Sequence, residues 1–223
     1  MAPDHAAAIA RHFRSCLSAS PTQAQPWRHW LLNEALPAGV CDAIAALPFA
    51  PPAIDDTLGK RETHNASRIY FSPEQQTRFP VCAQVAAAFQ DPATVAALEQ
   101  KCAARLDGAS LRIEYCLDTD GFWLEPHTDI GAKKFTLLVY LSDEPDAADW
   151  GTDLYDGPER WVGSAPCRRN AGLIFVPGVD SWHGFRKRPI QGVRKSIIVN
   201  YVGPEWRSRH ELAYPDQPAR NSR

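Results

Sequence analysis

Three residues with metal-binding chemistry stand in the second half of the 223-residue chain: His127, Asp129 and His183. His127-Thr128-Asp129 closes a segment, 125–129, that reads as extended. Alternation along an extended chain sends residues two apart to the same face, so imidazole and carboxylate can reach one ion. His183 lies in another β-like segment, Ser181-Trp182-His183-Gly184-Phe185. Two imidazoles and one carboxylate leave three octahedral positions open, which suits Fe(II) chemistry with several reactants at the ion. Structural zinc wants four ligands, often thiolates, and no cysteine lies near the pair. Taken alone, His127 and Asp129 could equally be a surface pair near a turn.

A second constellation lies on the last apolar segment, 193–202. As a strand it puts Arg194, Ser196, Ile198 and Asn200 on one face. Val193, Lys195, Ile197, Val199 and Tyr201 take the other. An inward-pointing arginine in an apolar strand needs an anionic partner. A guanidinium matches a carboxylate through two parallel hydrogen bonds. A dicarboxylate cosubstrate meets that need, one end on the metal and the other on Arg194 and Ser196. The alternative is an edge strand with Arg194 in solvent.

The order HxD, a histidine about fifty residues on, then Arg-x-Ser eleven residues beyond, resembles the signature of the iron(II)- and 2-oxoglutarate-dependent dioxygenases. The resemblance is to their prolyl-4-hydroxylase-like branch. Tyr115, Gly121 and Pro126-His127-Thr128-Asp129 match its strand tyrosine, glycine turn and first ligands. Thr136 to Leu141, Trp150-Gly151 with Leu154, and Ala171 to Pro177 match its later strands. It covers roughly residues 110–202. It implies Fe(II) on His127, Asp129 and His183, with 2-oxoglutarate and O2 as cosubstrates. It further implies that Tyr115, Arg194 and Ser196 bind 2-oxoglutarate. Two positions depart from the pattern: Arg194 stands where the branch often has lysine, and Gly151-Thr152 where a double glycine is common. Asp129 retains a carboxylate where related halogenases have a small residue, which favours hydroxylation or desaturation. The implied reaction hydroxylates an unactivated C–H bond and releases succinate and CO2.

The expected substrate is a small-molecule metabolite. The alternatives are a protein or peptidyl-prolyl substrate for the same chemistry, and a non-redox, cupin-type metal-binding protein. Candidate substrate contacts are Arg68, Tyr70, Phe122, Trp123 and Trp182, with Arg61, His64 and Asn65 in the polar run before Arg68. Residues 49–79 or 118–125 could form a lid over the site.

The elements that must position these groups change character along the chain. Residues 5–17, 37–47, 80–90 and 92–106 carry helical periodicity, and a short strand is expected near 67–71. From residue 110 onward, short β-prone segments alternate with Gly, Pro and Asp punctuation, which points to an all-β sandwich or barrel. The expected fold is mainly β (α+β): a double-stranded β-helix, or jelly roll, with N-terminal helices packed outside. We read one domain, 1–223, made of a helix-rich extension (1–109), a catalytic core (110–202) and a tail (203–223). A formal net charge of -2 gives no reason for nucleic-acid or anionic-membrane binding. No apolar stretch is long enough to span a bilayer and the N-terminus does not read as a signal, so the expected location is the cytoplasm. The six scattered cysteines read as free thiols.

Overall fold

The computed structural model describes residues 2–60, 68–129 and 131–220. In chain order the first half holds α1 (Ala2–Ala19), β1 (Thr22–Gln23), β2 (His29–Leu32), α2 (Ala38–Ala45), β3 (Ile69–Tyr70), α3 (Pro73–Arg78), α4 (Pro80–Gln90) and α5 (Pro92–Cys102). The second half holds β4 (Ser110–Asp118), β5 (Leu124–His127), β6 (Lys133–Tyr140), β7 (Asp153–Asp156), β8 (Arg160–Ser164), β9 (Gly172–Phe175), β10 (His183–Phe185) and β11 (Arg194–Val202).

Proline and aspartate set the helix starts. Pro80 and Pro92 occupy first turns, where a missing N–H costs nothing. The Asp91 carboxylate accepts from the Thr94 amide at 3.0 Å and from Arg14 at 2.7 Å, which caps α5 and ties it to α1. That helix stops at Cys102 because Ala103 turns left-handed (φ 55°), short of the expected 106. α3 was not anticipated from the sequence.

The strands form two antiparallel sheets. The larger has the order β1-β2-β9-β6-β11-β4-β3 and the smaller β5-β10-β7-β8. Together they make the expected double-stranded β-helix. β4 and β11 are buried along nearly their whole length because both faces are covered. One face packs on the helices through Ile113, Tyr115, Leu137, Ile197 and Val199, joined to Phe13, Val85 and Phe89. The other face, with Cys116, Leu138, Tyr140 and Ile198, meets the small sheet through Leu154 and Phe185.

The division at residues 109 and 202 is looser than expected. β2 and β3 belong to the first half, yet they pair with β9 and β4 of the core. The tail is also woven in. Ala213 and Ala219 donate to the carbonyls of Leu111 and Ala109, at 2.9 and 2.7 Å. Among the described residues, no helix is long and apolar enough to cross a membrane.

Candidate metal centre

The small sheet builds the centre. β5 and β10 run antiparallel with His127 directly opposite His183, and the two rings lie 4.4 Å apart between centroids. Asp129 follows two residues past His127, just beyond the strand end. One ligand atom from each of the three residues lies within 4.8 Å of the other two. Among the described residues, no fourth His, Cys, Asp or Glu joins this group. That argues against a closed structural zinc site.

Backbone carbonyls prepare both imidazoles. His127 Nδ1 lies 2.8 Å from the Glu125 carbonyl, and His183 Nδ1 lies 2.9 Å from the Ser181 carbonyl. A carbonyl only accepts, so each Nδ1 carries the proton and each Nε2 keeps a lone pair for a metal. Burial pushes the His183 pKa down to about 4, with Asp129 opposing, so the ring stays neutral at ordinary pH. Burial also works to raise the Asp129 carboxyl. Lys133 and His183, with hydrogen bonds from Lys133 (2.6 Å) and Thr136 (2.9 Å), hold it well below the usual carboxylate range. The three residues thus present two imidazole nitrogens and an anionic carboxylate oxygen, a donor set that fits Fe(II).

A narrow cleft of about 50 Å3 leads inward from the three ligands, past Thr136, Leu138 and Ile198, to Arg194. Phe122 and Phe185 also line it. That volume holds a few waters at most, so a five-carbon diacid enters only as the lining side chains move apart. Arg194 is buried and already paired: Nη1 donates to Asp118 at 2.6 Å and Nε to the Trp150 carbonyl at 2.7 Å. Burial opposes its charge, but Asp118, Cys167 and Tyr140 together outweigh it and leave its pKa above the usual value. A guanidinium has five N–H donors, so these two bonds leave others for a second carboxylate. Ser196 sits two residues on along the same face, and its buried Oγ has no hydrogen-bond partner among the described residues. An orphaned hydroxyl beside an arginine fits the distal carboxylate of 2-oxoglutarate.

On the outer side the metal residues open into a cavity of about 480 Å3, well within the range of ligand sites. Its walls include Lys60, Arg68, Arg112, Glu114, Lys133 and Trp206. Arg112 is the buried hub of that wall, with Glu114 at 2.8 Å and Glu211 at 2.6 Å.

The structure brings together His127, Asp129, His183 and Arg194 around one cleft, with Ser196 two residues beyond Arg194 on β11 but lining neither space. It corrects the placement of Tyr115. That side chain lies with Ile113, Leu117 and Ile197 on the helix-facing side, so it cannot reach a ligand held on the other face. Among the substrate candidates, Arg68 lines the outer cavity and Phe122 the inner cleft. Tyr70 packs under the Arg112 guanidinium at 4.8 Å, behind the cavity wall. Trp123 turns to the 54–60 loop, where its indole N–H donates to Asp56. Trp182 lines neither space, and its carbonyl accepts from Trp27. Arg61, His64 and Asn65 lie outside the described residues. Lys133, Thr136 and Arg112 were not anticipated. Thr136 had a signal available, as a polar residue in the apolar run Phe135 to Leu141.

No protein-family model matches the sequence, and no curated protein matches it. Solved structures do. A prolyl 4-hydroxylase from Phytophthora capsici superposes with a TM-score of 0.57 at 13% identity, covering 91% of this chain and 65% of that one. This chain therefore spans just under two thirds of that structure's length. A prolyl hydroxylase from Trichoplax adhaerens, in complex with a hypoxia inducible factor oxygen degradation domain peptide fragment, gives 0.55 at 11% identity, with 89% and 90% covered. HygX from Streptomyces hygroscopicus, with nickel, 2-oxoglutarate and hygromycin B bound, gives 0.52 at 15% identity, with 87% and 92% covered. At such identities the likeness is one of fold. The chain has the double-stranded β-helix fold of the prolyl-4-hydroxylase-like iron(II)/2-oxoglutarate dioxygenases, carrying a two-histidine, one-carboxylate triad. The expectation of a small molecule as the first-choice partner is corrected here. Prolyl hydroxylases recur among the matched structures, one of them in complex with a peptide fragment, so a small molecule no longer stands as the first expectation.

Proposed function

We propose that this protein is an Fe(II)- and 2-oxoglutarate-dependent dioxygenase that hydroxylates a peptide or protein substrate. One observation carries the reading: a single cleft has His127, Asp129 and His183 at its mouth and the buried Arg194 at its end. His127 and His183 would hold Fe(II) through Nε2, and Asp129 through a carboxylate oxygen. Arg194 and Ser196 would hold the distal carboxylate of 2-oxoglutarate. Fe(II), when bound, supplies dioxygen activation: one oxygen atom enters the substrate C–H bond as hydroxyl, and the other enters the succinate formed as 2-oxoglutarate loses CO2.

The chain's own residues do the rest. Phe122, Leu138, Phe185 and Ile198 give the cleft apolar walls that keep bulk water from the reacting groups. The cavity beyond the ligands gives the substrate a polar bed, with its target carbon turned toward the triad. No side chain is assigned as a general base. A peptide is favoured because prolyl hydroxylases recur among the matched folds.

The test is succinate release with Fe(II), 2-oxoglutarate and a panel of proline-containing peptides, with product mass measured alongside. The reading expects at least one peptide to raise succinate release and to gain one oxygen atom. If protein loaded with Fe(II) and 2-oxoglutarate modifies no member of a broad panel, the peptide assignment fails.

A further inference from the structure

Three neighbouring strands carry polar residues at one register level, on the sheet face that also bears Glu114, Asp118, Arg194 and Ser196. Asn200 on β11 pairs with Arg112 of β4 on one side and Thr136 of β6 on the other. Asn200 is 0% exposed and the other two are 3% exposed. Asparagine is a poor strand residue, and a buried one costs stability unless its amide is satisfied. Here both ends are used. Arg112 Nη1 donates to Asn200 Oδ1 at 3.1 Å. Asn200 Nδ2 donates to Thr136 Oγ1 at 2.9 Å and to the Phe135 carbonyl at 3.2 Å. Thr136 Oγ1 donates to Asp129 Oδ2 at 2.9 Å.

The polarity of this chain is forced. Arginine is only a donor, so the amide oxygen must face Arg112 and the NH2 must face Thr136. The threonine hydroxyl then receives a proton from Asn200, and its own single proton has one place to go, Asp129 Oδ2. Swapping the amide would set NH2 against guanidinium and break two bonds at once. Both Asp129 oxygens are thereby engaged, Oδ2 by the neutral Thr136 hydroxyl and Oδ1 by the Lys133 ammonium. Oδ1, which Lys133 holds at 2.6 Å, still has a second lone pair.

We propose that Thr136 and Asn200 are positioning residues that commit Asp129 Oδ2 to the protein and leave Oδ1 as the metal ligand. The inference rests on the dioxygenase reading and deepens it. Monodentate binding leaves the triad with three open positions. Bidentate binding would turn the carboxylate off Thr136 and close one position that the reactants need.

The test is metal binding, read by Co(II) titration through visible d–d absorption, with unfolding followed in parallel. Thr136→Val keeps the shape and deletes the hydroxyl. Asn200→Asp keeps the acceptor toward Arg112 and removes the donor toward Thr136. Both are expected to weaken Co(II) binding about tenfold or more and to change the band shape, while Thr136→Ser stays within about twofold of wild type. Folded Thr136→Val with wild-type affinity and spectrum would overturn the proposal. Should Thr136→Val not fold, Thr136→Ala is read by the same criterion. Wild-type protein that binds neither Co(II) nor Fe(II) sinks the dioxygenase reading as well. Wild type that binds, with unchanged variants, sinks only this inference.

Discussion

Arg194 is the residue proposed to turn a metal site into a 2-oxoglutarate site, and its surroundings make a two-part prediction. It is buried against Asp118, so truncating it removes the cation at the inner end of the cleft and leaves a buried carboxylate short of its partner. Arg194→Ala is expected to weaken 2-oxoglutarate binding at least tenfold and to leave Fe(II) affinity nearly unchanged. It should also cost about 3 kcal/mol of stability. Adding Asp118→Ala should restore part of the stability and none of the 2-oxoglutarate affinity. Titration calorimetry and denaturant melts separate the two effects, and a double variant that regains 2-oxoglutarate binding would contradict the assignment. The cysteines give a second prediction at this scale. Burial raises the thiol of Cys41 to about 11 and those of Cys82 and Cys102 to about 12, so few thiolates exist at pH 8. These three should resist a thiol reagent in the native protein and react once it is unfolded. Rapid native labelling at any of them would argue against the core described above.

At the scale of elements, the two segments proposed as lids prove to be stitched to each other. Thr119 Oγ1 donates to the Pro52 carbonyl at 2.8 Å, Trp123 N to Thr57 Oγ1 at 2.9 Å, and Glu125 N to the Gly59 carbonyl at 3.0 Å. Gly121 sits at the seam with φ +90°, and a Cβ there would lie 2.4 Å from the Asp55 carbonyl oxygen. Gly121→Ala should therefore part the seam, cost about 2 kcal/mol or more, and speed proteolysis near 118–123. Limited proteolysis with the wild-type pattern would show that the seam tolerates the side chain. The same elements show what the sequence could reveal. The face of β11 was legible because Arg194 and Ser196 interrupt an apolar run two residues apart. The phase of β4 was not, because helices cover one of its faces and the small sheet the other, so Tyr115 and Cys116 are both buried. Tyr115 entered only by resemblance to the family's strand tyrosine, and it falls on the helix-facing side. β3 falls within the strand expected near 67–71, whereas β1 is two residues long and β2 four, and β2 pairs with a strand remote in sequence, so local pattern gave little sign of those two.

At the scale of the molecule, the tail closes the far wall of the outer cavity. Glu211 Oε2 sits 2.6 Å from Arg112 Nε, and the Trp206 ring lies 5.1 Å from the same guanidinium. Removing residues 204–223 would leave Arg112 short of a carboxylate and an aromatic cover in a buried site. The truncated chain is expected to lose several kcal/mol and to show weaker binding at the metal, since Arg112 also anchors Asn200. Thermal melts and metal titration check this, and a fully stable truncated protein would mean that the tail is mere covering. The helical half, by contrast, was legible in outline. Its amphipathic stripes and first-turn prolines are local signals, whereas the tail's packing depends on contacts about a hundred residues away along the chain, as between Arg112 and Glu211.

The proposed reaction requires one cleft to hold both Fe(II) and 2-oxoglutarate. The direct measurement is visible absorption of the protein under anaerobic conditions as Fe(II) and then 2-oxoglutarate are added. A weak metal-to-ligand charge-transfer band should grow only when both are present, and it should be lost in Asp129→Ala. Folded wild-type protein that shows no such band with both ligands in excess would contradict the assignment of His127, Asp129 and His183 as its metal centre.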